Sequence, residues 1–576
     1  GTQNTALGRS ALNSNTTASN NTAVGYQAGY SNTTGTENTA FGQQALYTNT
    51  VGREIHAAGR KALFANTTGS YNTASGATAL SANTTGSSNT ASGYRALYAN
   101  TTASNNTAVG YQAGYSNTTG AYNTFLGDIA GRDNTTGSSN TAVGYGTMFE
   151  GTTTGSSNTA VGTVSMQNLS SGSYNVAIGT DSLKANTTAS NNTAVGYQAM
   201  LANTTGHNNT AVGTASLDAN LTGIENVALG SSSLSGNTTG SENVAVGQGA
   251  LFANTEGDSN TAVGKSALVA NTTGSENTAL GGGALDANTT ANDNTAIGYN
   301  ALGGNTTGAS NSVLGAYALD GNTTGANNVA VGRAALGVNS TASNNTAVGY
   351  NSLTANTTGS SLVAVGKGAL DANTTSSNST AVGTDALGAN TTGSDNTALG
   401  YAALRDNTTA SSNTAVGYFA LEANTTGSAL TAVGTAALDA NTTGIDNTAV
   451  GVSALSGNTT GNYNVAVGRT ALLNNTTADN NTAVGYQAAY SSNANYTTAV
   501  GRRALYSTTS GISNTAMGDY AGYSTTTGQM NVAMGSETFQ DNTTGSYNTA
   551  LGMLALHSNT TASHNTTVGY QAGKNT

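Results

Sequence analysis

Apolar and polar residues follow one another along this chain in a short figure that keeps returning, N-T-A-V-G-Y-Q-A-L-x-A-N-T-T-G-S-x. Counting the leading Asn as position 1, a Gly closes the first box at position 5. These glycines fall at 8, 25, 42, 59, 76, 93, 110, 127 and 144, and the beat runs on to 569. Successive ones stand 17 apart, except for one step of 18 (Gly144 to Gly162) and one of 16 (Gly485 to Gly501). A disordered chain has no reason to hold such a register; a repeat architecture requires it. Gly and Asn interrupt any helical pattern twice per unit, and the unit is too short for a helical hairpin, whereas two short strands and two turns fit.

Each unit therefore predicts one coil of a parallel β-solenoid (a β-roll). About 33 such coils form an all-β fold, a single continuous repeat domain over 1–576. Alternation puts positions 2 and 4 on one face of the first strand and Ala 3 on the other. Thr or Val at 2, Val, Leu or Ile at 4, Leu 9 and the small residue at 11 are expected to fill a thin interior, with Ala 3 and Ala 8 outside. Gly at 5 and 15 is expected to supply positive-φ turns. Asn at 1 and 12 is expected to tolerate left-handed backbone and to stack into amide ladders. Proline, absent from the chain, would delete a ladder hydrogen bond in every coil. At about 4.8 Å per coil the stack would extend roughly 160 Å. So thin a core buries little apolar area per ordered residue, and small outward Ala faces would let three chains pack into a homotrimeric fibre. Three coils depart from the pattern: 43–59, with Arg53, Glu54 and His56; 145–162, where Met148 and Phe149 are expected to bulge outward; and 486–501. The chain starts and stops mid-coil, which suggests a segment of a longer fibre or units that stack end to end as a filament.

Composition narrows the function. Only 7% of residues are charged and the net charge is −11, spread thinly. No basic stripe invites nucleic acid. No run of 18 apolar residues predicts a membrane-inserted helix, and GTQNTALG has neither the charged nor the apolar region of a signal peptide. The absence of Cys removes disulfides, thiol catalysis and Cys-bound zinc. His56, His207, His557 and His564 form no metal-ligand spacing and no triad, and neither a phosphate loop nor a calcium-roll Asp ladder is present. The expectation is a non-enzymatic protein with no catalytic, metal or cofactor residues. Arg405, Glu422 and Asp439 share position 10 of successive coils and read as a surface charge ladder. The rival reading is a glycosidase pair made by Glu422 and Asp439.

Two sets of surface residues invite binding. Tyr26, Tyr111, Tyr197 and Tyr486 follow the anchoring Gly and could stack on a sugar of a cell-surface glycan or receptor. The Asn-Thr-Thr turns match the N-glycosylation acceptor pattern, as at Asn15, Asn32, Asn66, Asn83 and Asn100. Regular outward Thr at position 13 or 14 could also order water as an ice-binding array.

NVAIG (Asn175 to Gly179), followed by a short unit ending in Leu-x-Ala, resembles the head repeats of YadA-like trimeric autotransporter adhesins. NTAVGYQAG resembles repeats of phage tail fibres that carry a C-terminal self-cleaving chaperone. The resemblance covers 4–573. It implies a homotrimer of left-handed parallel β-rolls, displayed outside a cell or on a virion as a fibre, spacer or adhesin shaft. The repeat unit is longer than that of the adhesin heads, and no heptad stalk, anchoring barrel or chaperone domain accompanies it.

Overall fold

Positions 2 to 4 of each coil form a three-residue strand in a computed structural model that describes residues 1–575. Two compact units divide the chain, Gly1–Asn292 and Asp293–Thr576. In the first, β1 (Thr5–Leu7) to β17 (Thr278–Leu280) stack in chain order. Each strand pairs in parallel with the one a coil later, residue for residue, as in Thr22↔Thr39, Ala23↔Ala40 and Val24↔Phe41. The second unit repeats the arrangement from β18 (Thr295–Ile297) to β34 (Thr566–Val568), for example Ala347↔Ala364. The one long and one short step leave strand register untouched, with Ala142 opposite Ala160 and Ala483 opposite Ala499. Every regular element among the described residues is such a strand. The fold is an all-β parallel solenoid with a 17-residue repeat.

Backbone hydrogen bonds link the coils well beyond the strands. The N–H of Gln44 donates back to Tyr26 O (2.8 Å), while those of Leu46 and Thr48 donate forward to Ala62 O and Phe64 O (2.9 and 3.1 Å). The donor is needed at most places around the coil, which is why Pro has nowhere to sit.

The interior reverses the expected parity of the strand. Ala at 3 and Ala at 8 are the buried ones, as Ala23, Ala28, Ala57 and Ala62 show. Thr 2 and Val 4 point out. Leu 9 is inside as expected (Leu63, Leu80 and Leu97 are fully buried), but position 11 is half-exposed. Met148 occupies the Leu 9 place and is fully buried instead of bulging; Phe149 lies half-buried against the Arg132 guanidinium, 3.9 Å from its ring centre. The physical reason is width. Between the two buried Asn columns most coils hold two methyls and one Leu, and Val313 adds one branched residue at position 3 beside the buried Leu319. Phe125 tests this: it replaces Ala 3 in β8 (Thr124–Leu126) and is fully buried. It fits because position 9 is glycine in its own coil and the preceding one; a Cβ on Gly114 would lie 2.6 Å from the ring, and one on Gly131 would overlap it.

Left-handed backbone falls at 7, 9 and 17, on ordinary residues such as Gln27 (φ 55°), Leu46 (φ 53°) and Glu37 (φ 63°). Neither Asn column is left-handed. Of the two glycines, position 5 has the expected positive φ (135° at Gly25). Position 15 has another role: a Cβ on Gly35 would strike the Gly52 carbonyl of the next coil and lie 2.5 Å from Asn32 Oδ1.

The expected amide ladders are present. At position 12, Nδ2 of Asn220, Asn237, Asn254 and Asn271 each donates to Oδ1 of the Asn one coil earlier, at 2.8 to 2.9 Å. The same Nδ2 donates to the carbonyl at 15, as Asn254 does to Gly257 O (3.0 Å). At position 1, Oδ1 of Asn21 accepts the backbone N–H of Asn38 (2.9 Å), and Asn38 Nδ2 reaches Gly52 O (2.9 Å). Buried polar groups thus satisfy one another along the stack. The column lapses where Leu169 replaces Asn and again at Ser492, Thr508 and Thr525, beside which Asn475 Oδ1 is left without a partner.

Candidate functional surfaces

With both Asn columns and the small residues turned inward, the side chains offered to a partner come chiefly from positions 2, 4, 6, 10, 14, 16 and 17, joined in places by 7, 11 and 13, as at Tyr317, Val338 and Leu221. Positions 2 and 4 make the sheet face, half-exposed Thr beside Val, Leu, Ile or Met; Val109, Ile178 and Leu280 are 42%, 41% and 46% exposed. In-register pairing lines these residues into straight rows.

The tyrosines singled out at position 6 all lie on the surface, but the structure does not gather them into one platform. Tyr111 stacks on Tyr94 at 5.6 Å, and Tyr486 lies 5.9 Å from the Arg503 guanidinium. Tyr26 has Arg9 and Gln43 at position 6 of its neighbouring coils, and Tyr197 has Thr180 and Thr214. Longer aromatic stacks occur at position 10, where Tyr30, Tyr47 and Phe64 follow at 5.1 Å, and Tyr490, Tyr506 and Tyr523 at 5.0 and 5.1 Å. Their one-coil spacing is visible in the sequence, but attention to the residue after Gly passes over it.

Asn32, Asn66, Asn83 and Asn100 belong to the position-12 ladder. They are buried, and each Nδ2 donates to a carbonyl of its own turn at 2.9 to 3.0 Å. A glycan on any of them would have to displace the ladder. Asn15, half-buried, likewise donates to Ala18 O (3.2 Å). Thr 13 is engaged too: Thr33 Oγ1 donates to Thr50 O (2.9 Å), so of the tandem threonines Thr 14 is the one held outward.

Among the charged groups, Arg405 forms a bridge to Glu422 (2.5 Å) and to Asp406 (2.8 Å), while Asp439 accepts from Ser456 Oγ (2.5 Å). Glu422 and Asp439 are thus each held by a different partner, one link apart in the position-10 column. Arg502 grips Asp519 with two bonds of 2.8 Å, and this holds the carboxyl below its usual range. Partial burial, with the charge of Asp385 added, pushes Asp371 up. His56 stands exposed on the sheet face of β4 (His56–Ala58), His557 meets Gln540 (3.0 Å), and His564 stacks on Tyr547 (5.0 Å). Among the described residues no three His, Asp or Glu converge as metal ligands, and no helix is long and apolar enough to cross a membrane.

Compared with known protein families and with curated proteins, the chain matches none.

Proposed function

We propose that this chain is a non-catalytic structural solenoid, the stiff shaft or spacer of a fibre displayed outside a cell or on a virion. The observation that carries the reading is the position-12 ladder. A polar side chain able to do chemistry is placed once per coil, and it is used inside, tying each coil to the next. Such ladders resist bending and local opening, because tilting one coil stretches bonds in a region where no water replaces them. The sparsely charged exterior and the resemblance to fibre repeats fit the same role.

Stiffness is measurable within the first unit. The chain has no Cys, so spin labels at Thr34→Cys and Thr273→Cys, both exposed at position 14, report one distance. Fourteen coils at about 4.8 Å separate them, roughly 67 Å. A single narrow distribution near that value is expected. A broad or much shorter distribution would refute the shaft.

A further inference from the structure

The sheet face in each unit is free of formal charge, a row of mostly Thr at position 2 beside a nearly continuous apolar row at position 4. No Lys, Arg, Asp or Glu occupies position 2 or 4 in any of the 34 strands, although the chain holds 15 basic and 26 acidic residues. His56 is the one titratable side chain there. Three residues at about 3.3 Å across and 17 rows at about 4.8 Å give a face of roughly 10 by 80 Å, about 800 Å² per unit. Row 4 makes up about half of it, a nearly unbroken apolar stripe as large as the biggest patch a lone soluble surface usually leaves open. About 800 Å² per partner is what a specific stable interface buries.

We propose that a second copy of this chain covers this face. The expected trimer placed Ala 3 and Ala 8 between chains; those residues are interior, and the long uncharged face left for self-association is the one made by positions 2 and 4. Whatever docks has to repeat every 4.8 Å or so over many rows, or the side-chain rows fall out of step. It must also lack charge, because a charge set against these methyls would lose its water with no counter-ion to replace it. Another copy meets both conditions with the same rows, in a two-fold, self-complementary contact. Height along row 4 varies, from Ala58 and Ser75 to Phe41 and Met517. That unevenness suits a protein face of matching relief better than a crystal plane such as ice.

The contact stands apart from the shaft reading, since label distances report stiffness within one chain and particle mass reports pairing. The test is light scattering on the full chain at micromolar concentration. The expected mass is twice the 56.6 kDa of a single chain. The variant V212E/L229E/V382E/V433E, all exposed position-4 sites, should weaken pairing at least about a hundredfold and return 56.6 kDa. T205E/T222E/T392E/T443E adds the same charge at exposed position 14 and should stay paired. Circular dichroism checks that the coils persist; if the fourfold variant unfolds, V212K/V382K reads the same effect. A wild-type mass of 56.6 kDa, or a fourfold variant that remains paired, would overturn the proposal. So would a monomer whose thermal hysteresis in ice growth disappears in the variant, which would give the face to ice.

Discussion

Removing one rung of the Asn column gives a sharp test of what holds the coils together. Asn254 makes three side-chain bonds: Nδ2 to Asn237 Oδ1 (2.9 Å), Nδ2 to Gly257 O (3.0 Å), and Oδ1 from Asn271 Nδ2 (2.8 Å). In Asn254→Ala two neighbours keep other partners, since Asn271 still donates to Gly274 O and Gly257 O still accepts from Asn243 (2.8 Å each). Asn237 Oδ1, fully buried, is left alone. Two ordinary bonds at about 1 kcal/mol each, plus about 2 kcal/mol for the stranded acceptor, sum to about 4 kcal/mol. Coils touch only their neighbours, so the loss should stay within a coil or two of the site. Native-state hydrogen exchange reads it directly: amides around 237–271 should exchange roughly a thousandfold faster, with remote coils unchanged. A change under about fivefold, or one spread evenly over the unit, would refute the ladder as the source of cohesion. Asn254→Leu should cost less, because Leu fills the space; Leu169 occupies a column position fully buried.

Phe125→Ala should cost about 3–5 kcal/mol, as expected for emptying a ring-sized site. Adding Gly114→Leu and Gly131→Leu, which restores the common core at two positions already left-handed (φ 62° and 59°), should recover most of that loss in the local exchange rates. Asp371 supplies a pH dependence. Its folded value lies above the ordinary 3.8, so the folded chain holds the proton more tightly than the unfolded one. The stability this contributes is present at acidic pH and declines as pH rises through the raised value. Exchange protection around Asp371 should therefore fall as pH rises above 3.8, and Asp371→Asn should flatten that fall; a slope unchanged in the variant would refute the assignment.

Much of this architecture can be read from residue spacing alone. The regular beat, the strand at 2–4, the inward Leu 9 and the stacked Asn columns all follow from periodicity and from what Gly, Asn and β-branched residues do to a backbone. The side of the strand that faces in does not. Alternation separates two faces without saying which is buried, and preferring the bulkier residues for the core chose wrongly, because nearly every coil fills its interior with Ala at 3 and 8 and one Leu at 9. Uniform size was the better signal. Position 3 is Ala in every strand except at Phe125, Val313 and Thr567, while position 4 ranges from Ala58 to Phe41. A cramped interior fixes volume; an open surface lets it drift. The left-handed residues at 7, 9 and 17 were not legible either, since Leu, Gln and Glu carry no mark of that conformation. The candidate surfaces fared similarly: the Asn-Thr-Thr pattern is an acceptor motif by composition and a buried ladder by geometry.

Equivalence of the coils carries an implication for how such a gene changes over time. Because most coils present the same donors and acceptors upward and downward, a whole unit can be lost or duplicated by slippage between near-identical stretches of DNA, and the new neighbours meet as the old ones did. The identical stretch shared by Asn21–Gly35 and Asn106–Gly120 is the kind of repeat such copying would produce. Length becomes a heritable trait that varies in whole-coil increments, open to selection without any intermediate that fails to fold. Only the coils with private arrangements, such as Phe125 with its two flanking glycines, resist being shuffled, and they would persist as fixed landmarks while the rest of the array grows and shrinks around them.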